Sequence, residues 1–132
     1  MDDSFLKEPT DSPDPLRILV VEDDADSRDM LCELLSLLGH QVQSAARAEE
    51  ADAKLEGCRV HVLLTDISLP GMSGVDLARK SLVRDPELSV VFASGYGAVP
   101  DADFSYRLLL KPYDLMQLQS VLAEAANKVR SS

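Results

Sequence analysis

Val62-Leu63-Leu64-Thr65-Asp66 is an apolar run closed by a carboxylate. A run this short and this apolar predicts a strand buried on both faces of a parallel sheet. Asp66 then stands at the carboxyl end of that strand, where open α/β sheets form their ligand crevice. The following residues, from Ile67 to Gly74, include Pro70 and Gly71 and predict a loop. An ionised Asp is seldom buried without a partner, so the rest of the chain should supply one.

The chain has 132 residues, a length that suits one domain with one core. Hydrophobic residues make up 45% and charged residues 27%, the balance of a soluble globular protein. The formal net charge is -10 and the pI about 4.5. That balance argues against sequence-independent nucleic-acid binding, which needs a basic face, and against anchoring to an anionic membrane. No apolar run approaches the roughly 20 residues that span a bilayer, and the acidic N-terminus is not a secretory signal. Cys32 and Cys58 form neither a CxxC pair nor a disulfide framework. They fit a reducing cytoplasm and read as small buried hydrophobes.

Residues 1–15 carry Pro9, Pro13 and Pro15 among acids and hydroxyls, and predict a disordered tail before a domain over 16–130. Arg17 to Val21 is a first buried strand, ending in Glu22-Asp23-Asp24. A helix from about Asp26 to Leu38 places Met30, Leu31, Leu34, Leu35 and Leu38 at helical spacing, with Gly39 at C′. Gln41 to Ser44 alternates as a short strand. Ala48 to Leu55 is a helix ended by Gly57, and Val60 to Thr65 is the central strand. Ser73 is the N-cap of a third helix with Val75, Ala78 and Leu82 on its core face, and Asp85-Pro86 stops it. Leu88 to Ala93 is a strand ending at Ser94, and Arg107 to Leu110 a strand ending at Lys111-Pro112. The last helix opens at Asp114 with Gln117 in the capping-box position, and runs through Leu118, Val121, Leu122, Ala125 and Val129. Alternating strands and helices predict a parallel sheet covered on both faces, with all strand ends on one rim. Between Ser94 and Tyr106, Gly95, Gly97 and Pro100 leave too little room for a mean helix of about 11 residues and its loops, so the fourth helix is expected to be short, irregular or absent.

The strand ends deliver Glu22 and Asp23, then Asp66, then Ser94, then Lys111. Three crowded carboxylates repel; a cation and the Lys111 ammonium relieve them. An all-oxygen donor set suits Mg²⁺, with Mn²⁺ as a substitute, and the absence of His and Cys disfavours zinc. Such a site is equipped to receive a phosphoryl group, with the carboxylate as nucleophile and the cations steadying charge on the transferring oxygens. Taken alone, Glu22-Asp23-Asp24 reads as a solvated run of helix-capping acids; behind a buried strand and beside Asp66 it reads as a site. Asp24 and Asp26 are read as caps or surface residues, His40 and His61 as structural, and Tyr96, Tyr106 and Tyr113 as packing or surface residues.

At Val20-Val21-Glu22-Asp23-Asp24, Thr65 to Gly74, Phe92-Ala93-Ser94-Gly95 and Lys111-Pro112-Tyr113 the chain resembles the receiver domain of two-component response regulators (the CheY-like superfamily), from about Leu16 to Val129. The resemblance implies a flavodoxin-like (βα)₅ doubly wound parallel five-stranded sheet. It implies Asp66 as phosphoacceptor, and Mg²⁺ held by Asp23, Asp66 and the Ser68 main-chain carbonyl, with Glu22 acting through water. Ser94 is then the switch hydroxyl, Lys111 the phosphate-contacting cation, and Pro112 and Leu108 conformational residues. The implied donor is a phosphohistidine on a sensor histidine kinase or a histidine phosphotransfer protein, and the output a downstream protein target. The implied module is no enzyme in the ordinary sense, although it promotes its own phosphorylation and dephosphorylation. One departure is Leu108, where the family often has an aromatic residue three positions before the Lys.

A stand-alone cytoplasmic regulator, monomeric or weakly dimeric, is the favoured reading, because only a short tail precedes the domain and the chain stops after the last helix. The alternative is a receiver excised from a hybrid sensor kinase. A haloacid-dehalogenase-type phosphatase also uses a strand-end Asp, but it carries a second acid two residues on, where Ser68 stands here. A pseudo-receiver is disfavoured by the intact acidic pair, Ser94 and Lys111.

Overall fold

The computed structural model describes residues 15–95, 97, 99 and 102–131, the last four by backbone alone. All but Pro15 of the expected disordered tail, together with Tyr96, Pro100 and the Val129 side chain, lies outside the described residues. Five strands, β1 (Arg17–Val21), β2 (Gln41–Ala45), β3 (Val62–Asp66), β4 (Ser89–Ser94) and β5 (Arg107–Leu110), form one parallel sheet in the order β2-β1-β3-β4-β5. Four helices accompany them: α1 (Ala25–Leu37), α2 (Ala48–Gly57), α3 (Gly74–Arg84) and α4 (Leu115–Ser131).

Alternation along the strands splits the core in two. Ile18, Val20, Val62, Leu64, Val91 and Leu109 face α1 and α4, where Leu31, Leu35, Leu118 and Leu122 meet them. Leu19, Val21, Leu63, Val90 and Phe92 face α2 and α3, where Ala48, Ala51, Val75, Leu77 and Ala78 close the second cluster. The three central strands are buried on both sides, which is why they read as continuous apolar runs. Gly57 is the last residue of α2, and Cys58 is the C-cap. Cys32 and Cys58 are half-buried free thiols, not core residues. Met30 is 62% exposed although it keeps helical spacing with the core leucines; the stripe facing the sheet is the narrower one through Leu31 and Leu35.

Of the short, irregular or absent helix expected between β4 and β5, the described residues fit the last: no helix forms among them. An aromatic strap takes its place. Val99 is buried, and Phe104 and Tyr106 pack on Phe92 with ring centroids 6.1 and 5.4 Å away. The Val99 N–H donates to the Tyr106 hydroxyl at 3.3 Å. Arg79 of α3 fastens the strap from outside, pairing with Asp103 at 3.2 Å and lying 6.0 Å from the Phe104 ring centre.

The start of β1 is held by two histidines. His40 Nδ1 accepts the Leu16 N–H at 3.1 Å and His61 Nδ1 accepts the Arg17 N–H at 2.9 Å. Both acceptor roles require the neutral ring. Burial lowers both pKa values, and at His61 the charges of Arg17 and Arg59 lower it further while Asp85 opposes them. The unfolded chain therefore takes up protons first as pH falls. The stability these rings contribute is complete above about pH 6.5, the ordinary imidazole value, and is lost as pH drops through the lower folded values. The thermal midpoint should fall between pH 7 and pH 5, and a His40→Asn/His61→Asn double variant should show a smaller fall in the same scan.

Candidate functional site

Parallel pairing brings the carboxyl ends of β1, β3, β4 and β5 to one rim. Asp66 is the last residue of β3 and pairs in register with Ala93, while Ser94 pairs with Leu110. The Lys111 N–H donates to the Ser94 carbonyl at 2.7 Å, so the β4–β5 ladder runs one step past β5 and fixes the lysine backbone. The Lys111–Pro112 peptide is cis. Tyr113 then packs on the α1/α4 core, and Asp114 and Gln117 make the reciprocal capping bonds at 2.8 and 2.9 Å that start α4.

Glu22, Asp23 and Asp66 each bring a carboxylate oxygen within 4.8 Å of the others. Lys111 Nζ lies 3.5 Å from Asp66 Oδ1 and 3.6 Å from Glu22 Oε1. Those separations exceed the roughly 2.7–2.9 Å of a charge-assisted hydrogen bond, so the ammonium is shared by two acids rather than locked to one. The Asp66 side chain is 19% exposed and Glu22 11%. Asp66 Oδ1 also accepts the Ile67 N–H at 3.0 Å. Ser94 is buried at the rim beside them, and Ser68 is exposed, two residues beyond Asp66 in the β3–α3 loop. Leu108 is half-buried against the α2/α3 core, in register with Phe92.

Burial raises the Glu22 pKa, as do the charge of Asp66 and its contact with Asp23; the Asp24 N–H at 3.1 Å and Lys111 pull the other way without cancelling the rise. Burial alone would lower the Lys111 pKa, but Asp66 and Glu22 outweigh it and raise it. The donor set is all oxygen and partly dry, and it holds more negative charge than Lys111 neutralises. It fits a hard divalent cation such as Mg²⁺.

Three residues that the sequence reading passed over shape this rim. Gly74 opens α3 where a Cβ would overlap the Asp66 carbonyl, and its N–H donates to the Ile67 carbonyl at 2.8 Å, closing the β3–α3 loop on itself. Glu49, at the start of α2, accepts the Met72 N–H at 3.2 Å and packs where a side chain at Gly71 (φ 76°) would lie. Arg28 donates to the Glu22 carbonyl at 2.9 Å. The Glu49 and Arg28 bonds join a side chain to main chain and the Gly74 bond joins main chain to main chain, so none leaves a periodicity to read. Asp24, read as a cap, is the N-cap of α1 and accepts the Ser27 N–H at 2.9 Å.

A parallel α/β domain with three acids and a lysine on its carboxyl rim has the arrangement of receiver-type signalling domains. Residues 18–123 match the response regulator receiver domain, and the chain belongs to that family. It is 37% identical over 107 residues to the response regulator receiver protein CpdR of Brucella abortus, a match covering 77% of this chain and 89% of that protein. It is 34% identical over 118 residues to the C4-dicarboxylate transport transcriptional regulatory protein DctD of Rhizobium meliloti, covering 86% of this chain but only 26% of that protein. The crystal structure of a CheY-like receiver domain protein from Methanospirillum hungatei superposes with a TM-score of 0.79 at 29% identity, covering 89% of this chain and 98% of that one. No helix among the described residues is long and apolar enough to cross a membrane.

A raised carboxyl pKa means that the fold favours protonated Glu22. Its favourable contribution is complete below the ordinary value of 4.5 and is lost as pH rises through the raised one. In chelator at pH 7, Glu22→Gln should therefore unfold about 1–3 °C above the parent, the scale of a fraction of a kcal/mol in a domain of this size. The gap should close as pH approaches 4 in the same thermal scans.

Proposed function

We propose that this chain is a stand-alone response regulator receiver that accepts a phosphoryl group onto Asp66 from a phosphohistidine on a sensor histidine kinase or phosphotransfer protein. The observation that carries the reading is the convergence of Glu22, Asp23 and Asp66 on one lysine at the carboxyl rim. In the proposed step an Asp66 carboxylate oxygen attacks phosphorus, the P–N bond breaks, and the imidazole leaves with the electron pair and takes a proton. The product is an acyl phosphate. The Ile67 N–H and the Lys111 ammonium both meet the Asp66 carboxylate at Oδ1, so Oδ2 is the proposed attacking atom.

Asp23, Asp66 and the Ser68 carbonyl would hold Mg²⁺, with Glu22 reaching it through water. Bound there, the ion neutralises charge on the transferring oxygens. Lys111, already shared between two acids, turns its ammonium to the phosphoryl group without leaving the cluster. Ser94, anchored through its carbonyl to Lys111, donates its hydroxyl to another phosphoryl oxygen. Water attack on the acyl phosphate returns the domain to its resting state. Leu108 and Pro112 flank the moving Lys111 and pass the change to the surface bound by a downstream protein. The half-buried free thiols support a cytoplasmic setting. CpdR, matched over most of its length, supports the stand-alone form; DctD, a transcriptional regulatory protein matched over a quarter, supports the alternative of a receiver within a larger protein.

Incubation with acetyl phosphate and Mg²⁺ should add one acid-stable, base-labile phosphate, measured by intact mass. Asp66→Asn should remain unlabelled, and chelation of Mg²⁺ should reduce labelling of the parent at least about 100-fold, the loss of a rate term worth several kcal/mol. Equal labelling of Asp66→Asn would refute the assignment of the nucleophile.

A further inference from the structure

We propose that Arg28 is a positioning residue for the divalent cation, acting through the main chain of the β1–α1 turn; this rests on the reading of the rim given above. The Glu22 N–H donates to the Ala45 carbonyl at 3.1 Å, the last ladder bond of β1. The Glu22 carbonyl lies beyond the ladder, and Arg28 Nη1 reaches back from α1 to donate to it at 2.9 Å. The Arg28 N–H itself donates to the Asp24 carbonyl at 2.9 Å, which anchors the residue in the first turn of α1. Glu22 is thus held at its N–H from β2 and at its carbonyl from α1, and the carbonyl bond is the one that grips the peptide joining Glu22 to Asp23.

That peptide sets the direction from which Asp23, an exposed side chain in contact with Glu22, enters the cluster. Two of the three acids of the cluster are adjacent in sequence, so a small rotation of the peptide between them changes their separation directly. Arg28 bonds to the carbonyl, not to the carboxylates, and Lys111, Asp66 and Asp23 rather than Arg28 are the side chains that perturb Glu22. Its effect on the acids therefore runs through geometry. A donor with a delocalised charge makes a bond about twice as strong as a neutral one, and an Arg fork holds a half-buried carbonyl at lower entropic cost than a Lys stem.

The test compares the full chain with Arg28→Ala, Arg28→Gln and Arg28→Lys by calorimetric titration with Mg²⁺, after circular dichroism in chelator has established folding. Arg28→Ala should bind Mg²⁺ about tenfold more weakly, the lower end of what loss of an outer-shell partner costs. Arg28→Lys, which keeps a charged donor, should recover part of the loss. The Mg²⁺ concentration giving half-maximal labelling by acetyl phosphate should rise by the same factor, while the rate at saturating Mg²⁺ falls less. If Arg28→Ala does not fold, Arg28→Gln takes its place in the same titration. Parent-like Mg²⁺ affinity in the folded variant overturns this inference alone. Failure of the parent to take up Mg²⁺ overturns the reading of the rim as well.

Discussion

One ammonium shared by two acids is the constraint around which the rim is built. Lys111 comes from the segment after β5, whereas Asp66 and Glu22 end β3 and β1. The order β2-β1-β3-β4-β5 puts β4 between the lysine and Asp66, and β3 between β4 and β1. Adjacent strands are about 4.8 Å apart, so the side chain must reach across β4, and its backbone must be fixed close to the rim. The 2.7 Å bond from the Lys111 N–H to the Ser94 carbonyl fixes it. Any other strand order, or a register shift at β5, would leave three carboxylates without that cation.

The arrangement costs stability where it provides chemistry. Burial foremost raises the Glu22 pKa, Asp66 and Glu22 raise that of Lys111, and three carboxylates face one ammonium across the rim. The fold tolerates this because its core does not depend on the rim. Both apolar clusters lie along the strands below it, and the central strands are buried on both faces. The loop carrying the excess charge is held by backbone devices instead: Gly74 against the Asp66 carbonyl, Glu49 on the Met72 N–H, and Arg28 on the Glu22 carbonyl. These bonds hold positions without adding charge to the acid cluster, the combination a site needs when an external ion is to complete it.

Much of this was legible in the sequence because burial on both faces of a parallel sheet writes itself as unbroken apolar runs. Val62 to Leu64 and Val90 to Ala93 could be placed as strands, and the acid, hydroxyl and lysine that end the runs could be placed on one rim. Ser73, Asp114 and Gln117 were readable as caps because capping needs particular residue types at fixed offsets. Met30 misled, since spacing alone does not say how wide the buried stripe is. Leu77 is fully buried although the core face was drawn through its neighbours, because the buried stripe of α3 is wide enough to take in Val75, Leu77, Ala78 and Ser81. Arg28, Glu49 and the two histidine acceptors carry no pattern, as their partners are main-chain groups that any residue offers.

The segment between β4 and β5 shows how the same face can be covered by different means. A helix there would satisfy its own backbone and lay an apolar stripe on the sheet. The described residues of this stretch, punctuated by Gly95 and Gly97, form none, and the cover is made by side chains: Val99, Phe104 and Tyr106 around Phe92. Each ring contact is worth only about 0.5–1.5 kcal/mol beyond burial, and the Arg79–Asp103 pair is exposed and contributes little. Segments fastened in this way sit at the low end of local stability. Phe92 precedes Ser94 by two residues on one strand and pairs in register with Leu108, three residues before Lys111. Tyr106 thus sets its ring on Phe92, the residue in register with the half-buried Leu108, and the cover over this part of the sheet is made by side chains.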